Sequence, residues 1–449
     1  MLQTNDLGSA FQQVLCYYYL MNQLLTRHVE SEARDILSYM PGLIIEGARQ
    51  VGKSTLARQL VAGDDNALML SLDDQQTLSA AQEDPPGFVA RGSGRLMVID
   101  EIQQLPSLTL AVKAAIDNNR QPGSFILTGS SSLLRVTGLA DSLAGRVGRL
   151  SLFGFSQGEL AEQTDDFAAR LIHSDDLTQF TSPLTRQEYA NLVAAGAYPD
   201  AVKLSAPRRQ RWLDDYLQAL VGRDMPELRR VFNPDRAMSL LRLLAANQSG
   251  ELVKARLANE VGIPAATINS YVDLLTDTWL FTTLAPWTPN LSERESGRHK
   301  GLIIDSGLAA RLSRLSAEQL DSVEYGQAFG SLLEGFVVAE LLRQATWTAQ
   351  PFRLFHYRDR AGAEVDAILE FDDGRIVAVE VKASTSFQAA HFKHLKTLRD
   401  KLGDRFMMGI VLNTGQVGYR FADKLYGLPI GALWQSQTQQ LVHQDGIHP

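Results

Sequence analysis

Residues Gly47-Ala48-Arg49-Gln50-Val51-Gly52-Lys53-Ser54-Thr55 follow the spacing G-x-x-x-x-G-K-[ST], which suits a phosphate cradle. Glycine at both ends lets the backbone turn tightly and bring its N–H groups to an anion, with no Cβ in the way. Lys53 is a long cation that can reach terminal phosphates. Ser54 offers a hydroxyl to Mg²⁺. A helix opening at Ser54 adds its positive end. The context is right for such a loop: Pro41-Gly42-Leu43-Ile44-Ile45-Glu46 is a short apolar run before it, and residues 55–62 carry apolar side chains at helical spacing, with Gly63 as a stop.

A second constellation follows. Leu96-Met97-Val98-Ile99-Asp100-Glu101 is an apolar run ending in two acids, the Walker B pattern. A strand buried on both faces is continuously hydrophobic. Its carboxyl end would bring Asp100 to the Mg²⁺ shell, with Glu101 beside the attacking water. The next run, Ser124 to Ser130, ends where an AAA-type ATPase places its first sensor, and either Thr128 or Ser130 fits. Arg146, ahead of the strand-like run 151–155, is a candidate arginine finger, acting in cis or from a neighbouring subunit. Arg223 is a second candidate, with a structural ion pair as the plainer reading.

A third constellation lies near the C-terminus. Residues 363–371 and 375–382 read as two strands around Asp372-Asp373-Gly374, a favoured three-residue hairpin loop. That register places Phe371 opposite Arg375 and Asp366 opposite Glu380. Lys382 lies two residues further along and shares their face. Two carboxylates and a lysine so placed resemble the D…E-x-K site of restriction-endonuclease-like domains. The resemblance implies that Asp366 and Glu380 hold Mg²⁺, that Lys382 orients water or stabilises charge, and that Glu334 assists from a helix over 331–345. E-x-K alone arises about once by chance in a chain this long; the helix-strand-strand-strand-helix order carries the reading. His391 and His394 read as solvated.

Five apolar strands alternating with helical segments predict a parallel sheet covered on both faces, with nucleotide beyond the carboxyl ends of the strands. Residues 21–155 would be this core and 156–235 a helical lid. Helices over 236–247, from 253 and from 264, with a wing from Trp279, predict a winged helix-turn-helix over 236–300. Its third helix carries Asp273 and Asp277 nearby but no Lys or Arg, which opposes phosphate contact. Arg294, Arg298, His299 and Lys300 would form a small basic wing tip. Residues 301–449 would be the nuclease-like domain.

The 449 residues carry a formal charge of −8, so any DNA contact is local. Cys16 stands alone, which excludes an internal disulfide and a cysteine zinc site and favours a cytoplasmic setting. No apolar run approaches a membrane span. Residues 1–20 look unlike the rest, and Met21 is a candidate start.

Over residues 21–430 the chain is similar to the predicted prokaryotic ATPases of the AAA+ superfamily that carry a C-terminal domain of unknown function. The resemblance rests on GARQVGKST at 47–55, LMVIDEIQ at 96–103, FILTGSSS at 125–132, SLAGRV at 142–147, GAYPD at 196–200 and IIDSGL at 303–308, and on EVDAILE and AVEVKAS near the C-terminus. It implies an α/β fold: a P-loop NTPase with a five-stranded parallel sheet, then a lid and winged helix, then a restriction-endonuclease-like domain. The expected cofactors are ATP and Mg²⁺. The expected role is ATP-controlled action on DNA. The alternative is a nucleotide-driven switch with an inactive nuclease-like scaffold. Homo-oligomers fit both.

Overall fold

The computed structural model describes residues 25–130, 143–173, 177, 180–228, 232–290, 292, 294, 297–359 and 362–435. The expected start at Met21, the stretch before it, and Ser131, Ser132 and Ser142 of the quoted motifs lie outside the described residues.

The first sheet holds β1 (Gly42–Glu46), β2 (Leu68–Ser71), β3 (Met97–Asp100), β4 (Phe125–Gly129) and β5 (Val147–Ser151). Its order is β2-β3-β4-β1-β5, and every neighbouring pair is parallel. β1, β3 and β4 are buried along their whole length, as their unbroken apolar runs require. One apolar layer, including Leu43, Ile45, Val98 and Ile126, faces the rest of the chain; the other, including Ile44, Ile99 and Leu127, faces the helix Leu108–Asn118. Parallel direction sends all the carboxyl ends to one rim.

Helices then dominate. Pro234–Ala246, Lys254–Val261 and Ala265–Asp277 lie near the expected spans, with Gly262 in the left-handed region closing the second. With them goes a small antiparallel sheet in the order β6-β8-β7, where β6 (Gly250–Glu251) lies between the first two helices and β7 (Phe281–Leu284) and β8 (Lys300–Ile303) follow the third. The domain boundary expected after residue 300 therefore falls inside a strand. The motifs at 196–200 and 303–308 clasp each other. Asp305 accepts hydrogen bonds from Leu308 N and Ala197 N, both at 2.7 Å. A Cβ on Gly196 would lie 2.5 Å from an Asp305 carboxylate oxygen, so only glycine fits there. The Ala197 carbonyl in turn accepts from Phe155 N at 2.8 Å, tying this clasp to the chain leaving β5.

The helix Gly326–Gln344 leads into a mixed sheet of β9 (Phe352–Arg358), β10 (Glu364–Phe371), β11 (Ile376–Lys382), β12 (Phe406–Asn413), β13 (Tyr419–Ala422) and β14 (Leu425–Pro429), ordered β13-β14-β12-β11-β10-β9. Ala367 pairs with Val379 and Glu370 with Ile376, so Asp366 and Glu380 stand opposite each other, as expected from the turn.

Buried polar joints connect these parts. Glu340 accepts from Gln157 N at 3.0 Å and pairs with Arg343 at 2.8 Å. His28 pairs with Asp165, whose carboxylate is buried. Burial would lower the His28 pKa, but the hydrogen bond and charge of Asp165, together with Glu159, outweigh it and hold the imidazole above its ordinary 6.5. By linkage, this pair's stabilisation is fully present below pH 6.5 and is lost as pH rises through the higher folded value. The melting temperature should fall on alkalinisation through that window, and His28→Gln should flatten the fall. An unchanged pH profile in the variant refutes this.

Candidate functional site

The phosphate loop follows β1. Gln50 and Gly52 adopt left-handed backbone (φ 64° and 98°), and the helix Lys53–Leu60 starts at once. A Cβ on Gly47 would sit 2.0 Å from the Leu152 carbonyl oxygen, so the first glycine is required by β5's exit as well as by the anion. The loop is braced from behind. Arg27 donates to the carbonyls of Val51 (2.9 Å) and Phe153 (2.7 Å) and to Glu159 (3.1 Å). No motif marks Arg27, so sequence reasoning missed it.

Lys53 is buried, and its ammonium donates to the carbonyls of Gly47 (3.1 Å) and Ala48 (2.8 Å). Burial draws its pKa down to about 8, against the pull of Glu101 and Asp100, so it stays cationic at neutral pH. Ser54 Oγ lies 2.8 and 2.9 Å from the two Asp100 oxygens. Thr128 also donates to Asp100 and accepts from Glu101 N at 3.1 Å. Glu101 itself is left-handed (φ 58°), which turns its side chain off the strand direction. Gln103 donates to Glu101 and, at 2.9 Å, to Ser130.

These groups border a cleft of about 820 Å³. Arg49, Lys53, Ser54, Glu101, Gln103 and Ser130 line it from the sheet side. Pro199, Asp200, Leu220, Asp224 and Thr278 line it from the helices. Arg49 pairs across the gap with Asp224 and, through its carbonyl, accepts from Tyr216 at 3.3 Å. Of the two hydroxyls held open as sensor, Ser130 lines the cleft. Thr128 is fully buried under Asp100 and positions that carboxylate. The residues fit a nucleoside triphosphate with Mg²⁺: a tight loop turned at Gln50 and Gly52, a buried cation, and a serine and aspartate already in contact.

Arg146 is not at this rim. It precedes β5, whose Val147 pairs with Gly42 at the amino end of β1. Its guanidinium grips Asp117 at 2.7 and 2.9 Å. Four residues of strand, roughly 13 Å at 3.3 Å each, separate it from the loop, so it cannot serve its own nucleotide. Arg146→Ala should leave the turnover of isolated subunits within about twofold of wild type, measured at dilutions where subunits do not associate. A tenfold loss there refutes this. Arg223 is exposed and pairs with Asp224 at 3.1 Å.

The expected basic wing tip does not form. Arg294 is buried against Glu370 at 2.6 and 2.8 Å, with Trp287 donating to the same carboxylate at 3.0 Å. Arg298 pairs with Glu251 at 3.2 Å, and the His299 ring meets Thr283 at 3.2 Å. Lys300 is buried among carboxylates, at 2.8 Å from Glu334, 2.6 Å from Glu364 and 3.6 Å from Asp366. Each buried cation neutralises a carboxylate that could not otherwise stay charged there.

Asp366 accepts from Val381 N at 2.8 Å, and Lys382 meets Glu380 at 2.5 Å. Burial and the facing Asp366 push the Glu380 carboxyl up to about 8, and the same two causes, in the same order, push Glu334 up. His394 bonds to the backbone of Glu364 and His391 to Gln388 N, so neither joins the acids. Among the described residues, no three Asp, Glu, His or Cys side chains stand ready around a metal point, and no helix is long and apolar enough to cross a membrane.

Comparison with known proteins matches residues 40–161 to an AAA domain, residues 186–319 to a domain of unknown function (DUF8612) and residues 329–433 to another (DUF4143). Two curated relatives, Rv2008c of Mycobacterium tuberculosis and Mb2031c of Mycobacterium bovis, both described as uncharacterized proteins, are 27% identical over 361 residues, covering 80% of this chain and 74% of theirs. Among solved structures, the Walker-type ATPase PABY2304 of Pyrococcus abyssi aligns at 15% identity with a TM-score of 0.41, covering 64% of this chain and 96% of its own. Residues 40–161 thus form an AAA-like P-loop domain of ATPase type.

Proposed function

We propose that the protein is a Mg²⁺-dependent ATPase whose nucleotide state controls its middle and C-terminal modules, which act on DNA. The observation that carries this reading is the shared cleft. Lys53, Ser54 and Glu101 face Pro199, Asp200, Asp224 and Thr278 across it, so a nucleotide there touches both the sheet and the helices. Lys53 and the loop N–H groups hold the phosphates. Ser54 and Asp100 would hold Mg²⁺, which when bound neutralises phosphate charge. Glu101 takes the proton of the attacking water, and Gln103 and Ser130 hold Glu101 in register. A reducing, cytoplasmic compartment fits the single cysteine.

Helices 234–277 with β7 and β8 fit a winged helix. The helix 326–344, β9 to β11 and the helix Lys393–Leu402 fit a restriction-endonuclease-like core with Asp366, Glu380 and Lys382 at its centre and Glu334 beside them. The test is ATP turnover with Mg²⁺, with and without duplex DNA. Turnover that responds to DNA is expected. No turnover in either condition overturns the ATPase reading.

A second reading, a nucleotide switch on an inactive scaffold, is favoured by the lysines already seated among the acids. Size-exclusion with a non-hydrolysable ATP analogue separates the two. A nucleotide-dependent change of subunit number with no DNA cleavage supports the switch.

A further inference from the structure

Two cations line the nucleotide cleft among its described residues, Lys53 and Arg49, and both belong to the phosphate loop. Arg49 stands between Ala48, whose carbonyl holds the Lys53 ammonium at 2.8 Å, and Gln50, which turns the loop with left-handed backbone. Burial works against the Arg49 charge, but the hydrogen bond and charge of Asp224, and then the charges of Glu101 and Asp73, outweigh it and raise its pKa. After burial and the two acids, the Arg49 charge also bears on Lys53. The guanidinium is therefore within electrostatic reach of both Lys53 and Glu101.

Its partner, Asp224, ends a widened helical turn, Leu220–Asp224, that continues the helix Ala206–Ala219. Such π-type turns recur at functional sites. The pair is easy to part. The Arg49 side chain is 43% exposed, and the other oxygen of Asp224 keeps Arg223 at 3.1 Å. Parting it strands no buried charge, the usual obstacle to opening an ion pair. A phosphate offers the planar guanidinium the same two-oxygen edge as a carboxylate, with more charge. The Arg49 backbone meanwhile stays tied to the same helix, because its carbonyl accepts from Tyr216 at 3.3 Å.

We propose that Arg49 is the arginine that meets the terminal phosphate of ATP, supplied by the loop of the same subunit, and that Asp224 occupies it until ATP arrives. This rests on reading the cleft as an ATP site. Arg49 exchanges the Asp224 carboxylate for the terminal phosphate. ADP lacks that phosphate, so with ADP Arg49 stays on Asp224. The exchange frees the helix 206–224 from the loop's side chain in the ATP state alone, which is a differential contact of the kind a nucleotide switch requires. In hydrolysis the water oxygen bonds to the terminal phosphorus while the bond to the bridging oxygen breaks. The proton goes to Glu101, the bridging oxygen keeps the electron pair, and Arg49 offsets the charge in transit. Arg146, at the opposite rim on Asp117, cannot do this for its own nucleotide.

The test is the pair of dissociation constants of the full chain for a non-hydrolysable ATP analogue and for ADP, both with Mg²⁺, beside kcat. Arg49→Ala should weaken the analogue about tenfold or more, the worth of one charge-assisted hydrogen bond, while ADP changes less than about twofold. Its kcat should fall by roughly 10²-fold or more. Arg49→Lys, which keeps the charge without the two-pronged edge, should recover part of the analogue affinity and less of kcat. Asp224→Asn, which frees Arg49 in advance, should tighten the analogue about threefold or more and leave ADP within about twofold. That variant keeps the proposal open to refutation should Arg49→Ala fail to fold. Equal losses for analogue and ADP in Arg49→Ala, or a kcat within about tenfold of wild type, overturn the assignment. Weaker analogue binding in Asp224→Asn overturns the exchange. Wild type that binds neither nucleotide removes the ATP site itself, and this proposal with it.

Discussion

Lys53→Ala lowers ATP affinity by roughly 10²–10³-fold, and turnover vanishes with it. Charge-assisted hydrogen bonds are worth about 1.5–3 kcal/mol each, and each 1.4 kcal/mol is a factor of ten. Two such bonds from Lys53 to the phosphates account for the expected loss; without nucleotide its ammonium rests on the carbonyls of Gly47 and Ala48. Those two oxygens would otherwise face a polyanion with no cation between them. The substitution should not harm the fold. Burial draws the Lys53 pKa down to about 8, which means that the native state disfavours this charge. A lysine with a lowered folded pKa weakens the native state as pH falls through 10.5 towards 8, and alanine removes that loss. Titration with a fluorescent ATP analogue, beside a melting curve, tests both statements. Wild-type affinity in a folded variant would refute the cradle.

Glu101→Gln separates binding from chemistry. Its carboxylate lines the cleft but touches neither Lys53 nor Ser54, so nucleotide affinity should change less than threefold. Hydrolysis should fall by about 10²–10⁴-fold, the usual contribution of a positioned general base. A fall in kcat with unchanged KM is the signature. The left-handed backbone of Glu101 and the grip of Gln103 say that this side chain is aimed. A variant that turns over ATP at the wild-type rate would move the catalytic role elsewhere.

The P-loop and its acids were legible because their chemistry is local. Spacing within nine residues and one strand end carries it. The pairing of Asp366 with Glu380 was legible too, since turn length sets hairpin register. Arg146 as a finger for its own subunit's nucleotide runs against a rule of parallel sheets. A residue that precedes a parallel strand lies at the rim away from the ligand. Lys300 and Arg294 were illegible for another reason. Their partners lie 34 and 76 residues away, on elements whose meeting no periodicity announces. In the sequence, a basic cluster beside a strand looks like a solvated face. Only the packing of β8 against the C-terminal sheet turns it inward. Arg27 shares that fate, since its partners at Val51, Phe153 and Glu159 are tertiary.

The helix 326–344 has a practical consequence. Its Phe329, Leu332, Leu333, Phe336, Val337, Val338 and Leu341 are buried in the apolar cluster that also holds Leu43 and Leu240. At about 1.5–3 kcal/mol each, such side chains represent roughly 10–20 kcal/mol of burial, as much as a whole domain's net stability. A fragment cut out at residue 301 for separate expression would strip away the cover of the helix Arg186–Ala195 and the Lys300 ammonium that pairs with Glu334, baring part of that surface to water. It would clump rather than behave as a free-standing nuclease, so inactivity of such a piece would say nothing about the intact chain.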